Sequence, residues 1–240
     1  MRKKIIFVFI IVIVLATACK KDDETNSYQM DETKPYQMTV TTQQSDVSIG
    51  MRGYGKISID WGDKTEIESF SLQNNNINIP HSYPDSVPYT ITVTGYITAF
   101  NCTYQSVLKL DLRKNPALTE LHAGYNKLTS LDVSHNTGME LLDCYLNQLT
   151  DLDVSKNTEL EYLNCHTNRI TKINLSNNTK LYYFLISSNS LTVGALHEMF
   201  GTLHNYIDMK GRTKRILISG NLGAIECDRS IAEYKGWVFE

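Results

Sequence analysis

Met139-Glu-Leu-Leu-Asp-Cys-Tyr-Leu-Asn147, continued by Leu149-Thr-Asp-Leu-Asp-Val-Ser-Lys-Asn157, is one copy of a pattern that recurs along the chain. Leu118, Met139, Leu160 and Leu181 stand 21 residues apart, and Asn126, Asn147, Asn168 and Asn189 keep the same step. Self-similarity at a fixed period of this length marks a stack of repeated units. Segments starting at Ile97, Val107, Leu118, Leu128, Met139, Leu149, Leu160, Ile170 and Leu181 share the half-unit, so each coil has two flattened sides. A single coil cannot bury its own leucines, so neighbours between Ile97 and Leu191 must supply one another's core.

The unit L-x-x-L-x-[C/A/I]-x-x-N-x-[L/I]-T, continued in complete copies by x-[L/I]-[D/N]-[V/L]-S-x-N, resembles a leucine-rich repeat. That resemblance implies a right-handed coil and a protein-recognition scaffold. The asparagines read as turn formers, whose amides satisfy backbone groups that would otherwise be buried unpaired. Cys102, Ala123, Cys144, Cys165 and Ile186 share one register, a slot that wants a small-to-medium apolar filler. Stacking at ~4.8 Å would just permit a Cys144–Cys165 disulfide, but the Ala and Ile occupants favour free buried thiols.

Working outward, Val193, Leu196, Phe200 and Leu203 fall on one helical face after Thr192 as N-cap, and Arg215-Ile-Leu-Ile-Ser219 reads as a strand. A short helix from about Arg229 to Lys235 follows, with Asp228 as cap, so residues 192–240 form an α/β cap on the last coil. Before the repeats, residues 36–95 alternate with period two, as in Ile57-Ser-Ile-Asp-Trp61 and Tyr89-Thr-Ile-Thr-Val-Thr94. Asp60-Trp-Gly-Asp63, His81-Ser-Tyr83 and the strand at Tyr89 are together similar to the PKD domain, which implies a small immunoglobulin-like β-sandwich. Asp60, Asp63 and His81 could form a metal or acid–base cluster; turn chemistry explains the aspartates more simply. The expected whole is a mostly-β α/β solenoid, with repeats over 96–191 between the β-sandwich and the cap.

The N-terminus reads as an address. Basic Met1-Arg-Lys-Lys4 precedes the uncharged run Ile5 to Ala18, too short for a bilayer-spanning helix. Leu15-Ala-Thr-Ala-Cys19 resembles the lipobox of bacterial lipoproteins, which implies removal of residues 1–18 and acylation of Cys19. Cys19-Lys-Lys-Asp-Asp-Glu24 looks like the signal that sends some Gram-negative lipoproteins to the outer face of the outer membrane. Residues 19–35 are polar without apolar periodicity and read as a flexible tether.

With 23 Lys plus Arg against 26 Asp plus Glu, the net charge of −3 gives nucleic acid no long-range attraction. No nucleophile elbow, HExxH, phosphate-binding glycine loop or CxxC pair is present, so neither catalysis nor a cofactor or metal is expected. On the second half of each coil the exposed residues repeat (Asp111, Asp132, Asp153, Asn174), as a structural side should. On the first half they vary from coil to coil, which marks that face as the candidate binding surface. His122, Asp143, Tyr145, Tyr162, Asn164, His166 and Tyr183 are its ligand-binding candidates. Tyrosines beside hydrogen-bonding side chains suit a host or matrix protein, or alternatively a glycan captured beside a polysaccharide uptake system; tyrosine also simply suits an exposed strand. His122, Asp143 and His166 could act as metal ligands or as acid and base, but lack the supporting shell such a site requires.

Overall fold

The computed structural model describes residues 36–206 and 211–240; the lipobox, Cys19 and the tether lie outside them. Alternation between buried and exposed residues drives the first strands: β1 (Gln37–Thr42), β2 (Asp46–Asp60), β3 (Glu68–Gln73), β4 (Ile77–Ser82) and β5 (Tyr89–Asn101). β2 pairs antiparallel with β3, β4 and β5, and β1 lies antiparallel between β5 and β6 (Val107–Lys114).

β5 is the hinge of the architecture. Its first half pairs antiparallel with β1, while Ala99–Asn101 run parallel to β7 (Glu120–His122). The β2–β5 register shifts between Tyr54 and Ser58, beside Gly95. Gly95 has φ +135°, and a Cβ there would lie 2.6 Å from Ile57 Cγ2, so only glycine lets the strand pass. β8 (Leu141–Asp143), β9 (Tyr162–Asn164) and β10 (Tyr183–Leu185) follow β7 as parallel three-residue strands, one per coil. β11 (Lys214–Leu217) and β12 (Trp237–Phe239) continue that ladder in parallel. All twelve strands thus belong to one open sheet among the described residues.

The 21-residue units are stacked leucine-rich coils. Leu118, Leu121 and Leu128 and their equivalents Met139, Leu142, Leu149, Leu160, Leu163 and Ile170 are fully buried, and each such side chain contributes about 1.5–3 kcal/mol. One apolar cluster runs from Met38 and Trp61 through the coils to Trp237. Only the first half of each later coil forms a paired strand; the second flat side is extended without ladder pairing, except that β6, in the first coil, pairs with β1. Cys102, Cys144 and Cys165 are buried free thiols, and burial pushes the Cys102 thiol up to about 12, so none is a ready thiolate.

Two asparagine ladders hold the coils together. Asn147 Nδ2 donates to the carbonyls of Ala123, Cys144 and Tyr145 at 2.9–3.2 Å, while its Oδ1 accepts from Leu128 N at 2.9 Å. Asn126, Asn168 and Asn189 do the same in their own coils, and Asn221 extends the ladder beyond the repeats. On the other side, Asn136, Asn157 and Asn178 each donate at 2.8 Å to the carbonyl of the asparagine one coil earlier.

In the β region, Asp63 and His81 form a structural lock, and Asp60 bonds only its own turn. Asp60 Oδ1 accepts from Gly62 N, and Asp63 Oδ1 accepts from both the backbone and the hydroxyl of Thr65. His81 Nε2 lies 2.8 Å from Asp63 Oδ2, and its ring stacks 4.4 Å above that of buried Trp61. Burial pushes the Asp63 carboxyl up, but the Thr65 and His81 hydrogen bonds and the His81 charge outweigh it and hold the group at about 2. At the far end, helix α1 (Val193–Thr202) starts on the Thr192 hydroxyl, which accepts from Ala195 N, and buries Leu196, Met199 and Phe200. Helix α2 (Ser230–Tyr234) is shorter than the sequence suggests, and Asp228 Oδ1 accepts from Ser230 N at 2.9 Å. Lys235, just after α2, closes α1: its Nζ donates to the carbonyls of Phe200, Gly201 and Leu203 at 2.6–3.0 Å, a cation placed on a helix C-terminus.

Asn147→Ala strands the buried Leu128 N–H and removes one of the two donors from each of the Ala123, Cys144 and Tyr145 carbonyls, and should cost ~1–3 kcal/mol in urea unfolding. Asp153→Asn on the exposed side keeps an oxygen for Ser155 N and should change stability by no more than ~0.5 kcal/mol. Equal effects of the two substitutions would remove the ladder's special status.

Candidate functional site

The strand registers align the outward side chains in rows that cross the whole sheet. One row runs Asn78 (β4), Gly50 (β2), Asn101 (β5), His122 (β7), Asp143 (β8), Asn164 (β9), Leu185 (β10) and Leu217 (β11). The next contains Arg52, Ala99, Glu120, Leu141, Tyr162, Tyr183 and Arg215. Because β5 belongs to both pairings, the face expected from the repeats alone extends onto β2 and β4. Near that junction a cleft of about 220 Å³ opens among Asn76, Asn78, Asn101, Glu120 and His122 over Met51 and Phe100.

The candidates fall into groups. His122 Nδ1 lies 3.8 Å from Asp143 Oδ2, with 35% and 18% of the two side chains exposed. Asn164 is nearly buried, and its Oδ1 accepts from His166 N at 3.3 Å. His166 Nδ1 is 2.8 Å from the Thr167 hydroxyl, while its ring stacks on Tyr145 with centroids 5.1 Å apart and planes 10° from parallel. Tyr162 and Tyr183 stack at 5.2 Å and 6°, and the Tyr183 hydroxyl donates to Glu240. His122 and Asp143 are therefore neighbours, whereas His166 is committed to the tyrosine stack. Among the described residues no three His, Cys, Asp or Glu side chains gather closely enough to hold a metal ion.

Sequence reasoning missed two aromatic members. Tyr104 and Tyr125 are half-exposed, and their rings stack 4.0 Å apart. Tyr145, which lies near both hydroxyls, joins this pair to the Tyr145–His166 stack. Tyr104, Tyr125, Leu146, Thr167 and Ser188 all have φ between +49° and +62°, a left-handed position one coil apart. Non-glycine residues resist that conformation by ~1–2 kcal/mol, and the Asn after each of the last four offsets the cost by bonding the turn carbonyls. The signal was the residue just before each ladder Asn, which the turn sets outward. Gly124 is the second requirement: a Cβ there would lie 2.0 Å from the Tyr145 ring, so glycine makes room for the stack.

In the first coil Gln105 stands where later coils have Asn, and its longer amide reaches Ser48 N of β2 at 2.8 Å while donating to Thr103 O. This ties the first coil to the β region. Three ion pairs flank the face, Arg52 with Glu120, Arg212 with Glu161, and Arg215 with Glu240, while exposed Glu140 has no basic partner among the described residues. Burial, with the charge of Asp143, pushes the Tyr162 hydroxyl up to about 12, so it remains a proton donor at neutral pH.

No protein-family model matches the chain, and no curated protein matches it. Among solved structures it is similar to the functional domain of InlJ from Listeria monocytogenes, described as including a cysteine ladder. The identity is 34% and the TM-score 0.38, over 55% of this chain and 32% of that one. It is also similar to an internalin, inlF, from Listeria monocytogenes str. 4b F2365, with 17% identity and a TM-score of 0.39 over 59% of this chain and 46% of that one. The chain thus spans less than half the length of either structure.

Burial holds His166 below the ordinary imidazole value of 6.5, while the Asp143 charge pulls it up. The unfolded chain therefore binds more protons just below pH 6.5, and the His166 contribution to stability is lost as the pH falls through that range. An NMR titration of the His166 ring should show a midpoint below 6.5. Asp143→Asn should lower that midpoint further, because the carboxylate's favourable charge is gone; an upward shift would contradict this placement.

Proposed function

We propose that this chain is a non-enzymatic binding and adhesion module that recognises a protein ligand, such as a host or matrix protein, through the outward face of its parallel strands. Lipidated Cys19 would hold it on the outer face of a Gram-negative outer membrane, with residues 20–35 as the tether and a PKD-like region at 36–95 as the base. The Leu15-Ala-Thr-Ala-Cys19 run and the Lys-Lys-Asp-Asp-Glu that follows support this address. Two or three acyl chains anchor stably where one would not. No helix among the described residues is long and apolar enough to cross a membrane.

One observation favours a protein over the glycan reading. A sugar ring packs on an open aromatic face, but here the aromatic faces lie against one another: Tyr104 on Tyr125, Tyr145 on His166, and Tyr162 on Tyr183. Stacking of ring on ring covers one face of each and leaves ring edges for a partner. Such edges, with Arg and His beside them on a broad face, match the aromatic and arginine enrichment of protein interfaces.

The test is binding of full-length chain to paired panels of extracellular proteins and polysaccharides. A protein hit should weaken at least tenfold, or about 1.4 kcal/mol, in Tyr104→Ala/Tyr125→Ala and in the Tyr145, Tyr162 and Tyr183 triple alanine variant, each shown to be folded by circular dichroism. Saturable binding to a polysaccharide alone, or a protein hit indifferent to both variants, would sink the proposal.

A further inference from the structure

At the centre of the face stands a charge that the protein leaves without a hydrogen bond. Asp143 Oδ1 is buried and has no partner, and its Oδ2 lies 3.8 Å from His122 Nδ1, beyond hydrogen-bond range. The His122 ring stops short of it, and the other neighbouring donors make no bond to it. Asn164 on β9 holds His166 N through its Oδ1, and His166 holds Thr167 through Nδ1 while its ring lies on Tyr145. Arg52, across His122 from Asp143, is paired with Glu120. In the same row Asn101 and Asn164 each accept from the backbone N–H two residues on, at 2.9 and 3.3 Å, a bond the Asp143 side chain does not make.

A carboxylate that is 82% covered and hydrogen-bonded to nothing is costly unless a donor arrives from outside. Its two oxygens share one delocalised charge, so a donor at the reachable Oδ2 also relieves the burial of Oδ1. A cationic donor relieves it most, since charge-assisted hydrogen bonds are roughly twice as strong as neutral ones. A metal ion is a poor candidate, because no third ligating side chain converges on the pair among the described residues.

We infer that Asp143 is the anchor for a basic side chain, Arg or Lys, of the protein partner, with His122 as its neighbour on the rim and the tyrosine stacks framing it. This rests on the reading of the face as a protein-binding surface and names the chemistry of the partner's central contact. Nearby ion pairs make the choice selective: Glu120 is already neutralised by Arg52, and Arg212 and Arg215 by Glu161 and Glu240. Glu140, one coil before Glu161, is also unpaired among the described residues but exposed to water, whereas Asp143 is a largely covered carboxylate that no Lys or Arg neutralises.

The experiment pans a random 12-residue phage-displayed peptide library against immobilised full-length wild type, Asp143→Asn, and Tyr104→Ala/Tyr125→Ala. Wild type should enrich Arg or Lys at one position of the recovered peptides about fivefold or more over the input library, and Asp143→Asn should lose that position while keeping any aromatic consensus. Replacing the selected Arg by citrulline, which removes the charge, should weaken a recovered peptide about tenfold on wild type and leave it unchanged on Asp143→Asn. Asp143→Asn is isosteric, and its thermal unfolding should match or exceed wild type, since it removes an unbonded carboxylate. No basic enrichment, enrichment that persists on Asp143→Asn, or equal citrulline losses on both proteins would overturn the inference. If Tyr104→Ala/Tyr125→Ala recovers the wild-type peptides while Asp143→Asn does not, the anchor stands and the role of the tyrosine column falls.

Discussion

Each repeat coil must turn its backbone around an apolar interior at the ends of two flat sides, and each turn takes peptide groups away from water. Neither helix nor sheet can satisfy groups at a corner, so a side chain with both a donor and an acceptor has to do it. Asparagine is the shortest residue that can. At Asn147 one amide joins three carbonyls of two successive coils and one backbone N–H. The strand ladder, the leucine layers and the displayed tyrosines all depend on corners closed in this way.

The two asparagine columns do unequal work. In the column through Asn147 both ends of the amide are used. In the column through Asn115, Asn136, Asn157 and Asn178 only the nitrogen is bonded, and all four Oδ1 atoms are buried without a partner. A donor-only contact could in principle come from a shorter or smaller side chain. Nδ2 of Asn157, however, reaches both Val133 O and Asn136 O, one coil away, at 3.0 and 2.8 Å. A serine hydroxyl offers a single hydrogen and cannot bridge both. The unsatisfied oxygen is thus the cost of carrying two N–H groups on one side chain, repeated coil by coil.

The same logic explains what could be read from the sequence. Leucine register, asparagine register and the buried cysteine slot recur at a fixed step, and a recurring constraint leaves a recurring letter. Contacts made once leave none. Gln105 bonding Ser48, Lys235 closing helix α1, and the passage of β5 from an antiparallel to a parallel partner occur where the repeat ends, between residues far apart in sequence. Tyr104 and Tyr125 were hidden for another reason: they occupy the turn before Gln105 and the ladder Asn126, a place assigned to structure, yet the left-handed backbone there aims their rings outward. His122 and Asp143 were legible as neighbours because they share a register row, but the missing hydrogen bond of Asp143 is a matter of distance that no spacing encodes.

Because the face is a stack, its variation is not free from coil to coil. Tyr145 leans over position 124, and any side chain larger than glycine there would collide with its ring. The residue chosen in one coil therefore restricts the residue tolerated in the coil before it. Such coupling makes the aromatic column a unit. A ring edge is held at a fixed height by the ring beneath it, little side-chain entropy remains to be lost on binding, and rigid aromatic anchors of that kind favour a partner with a shape of its own. Asp143 sits beside this rigid column, in a row where Asn101 and Asn164 already accept backbone N–H groups. Its position is fixed by β8, so a complementary cation has to come to it rather than the reverse.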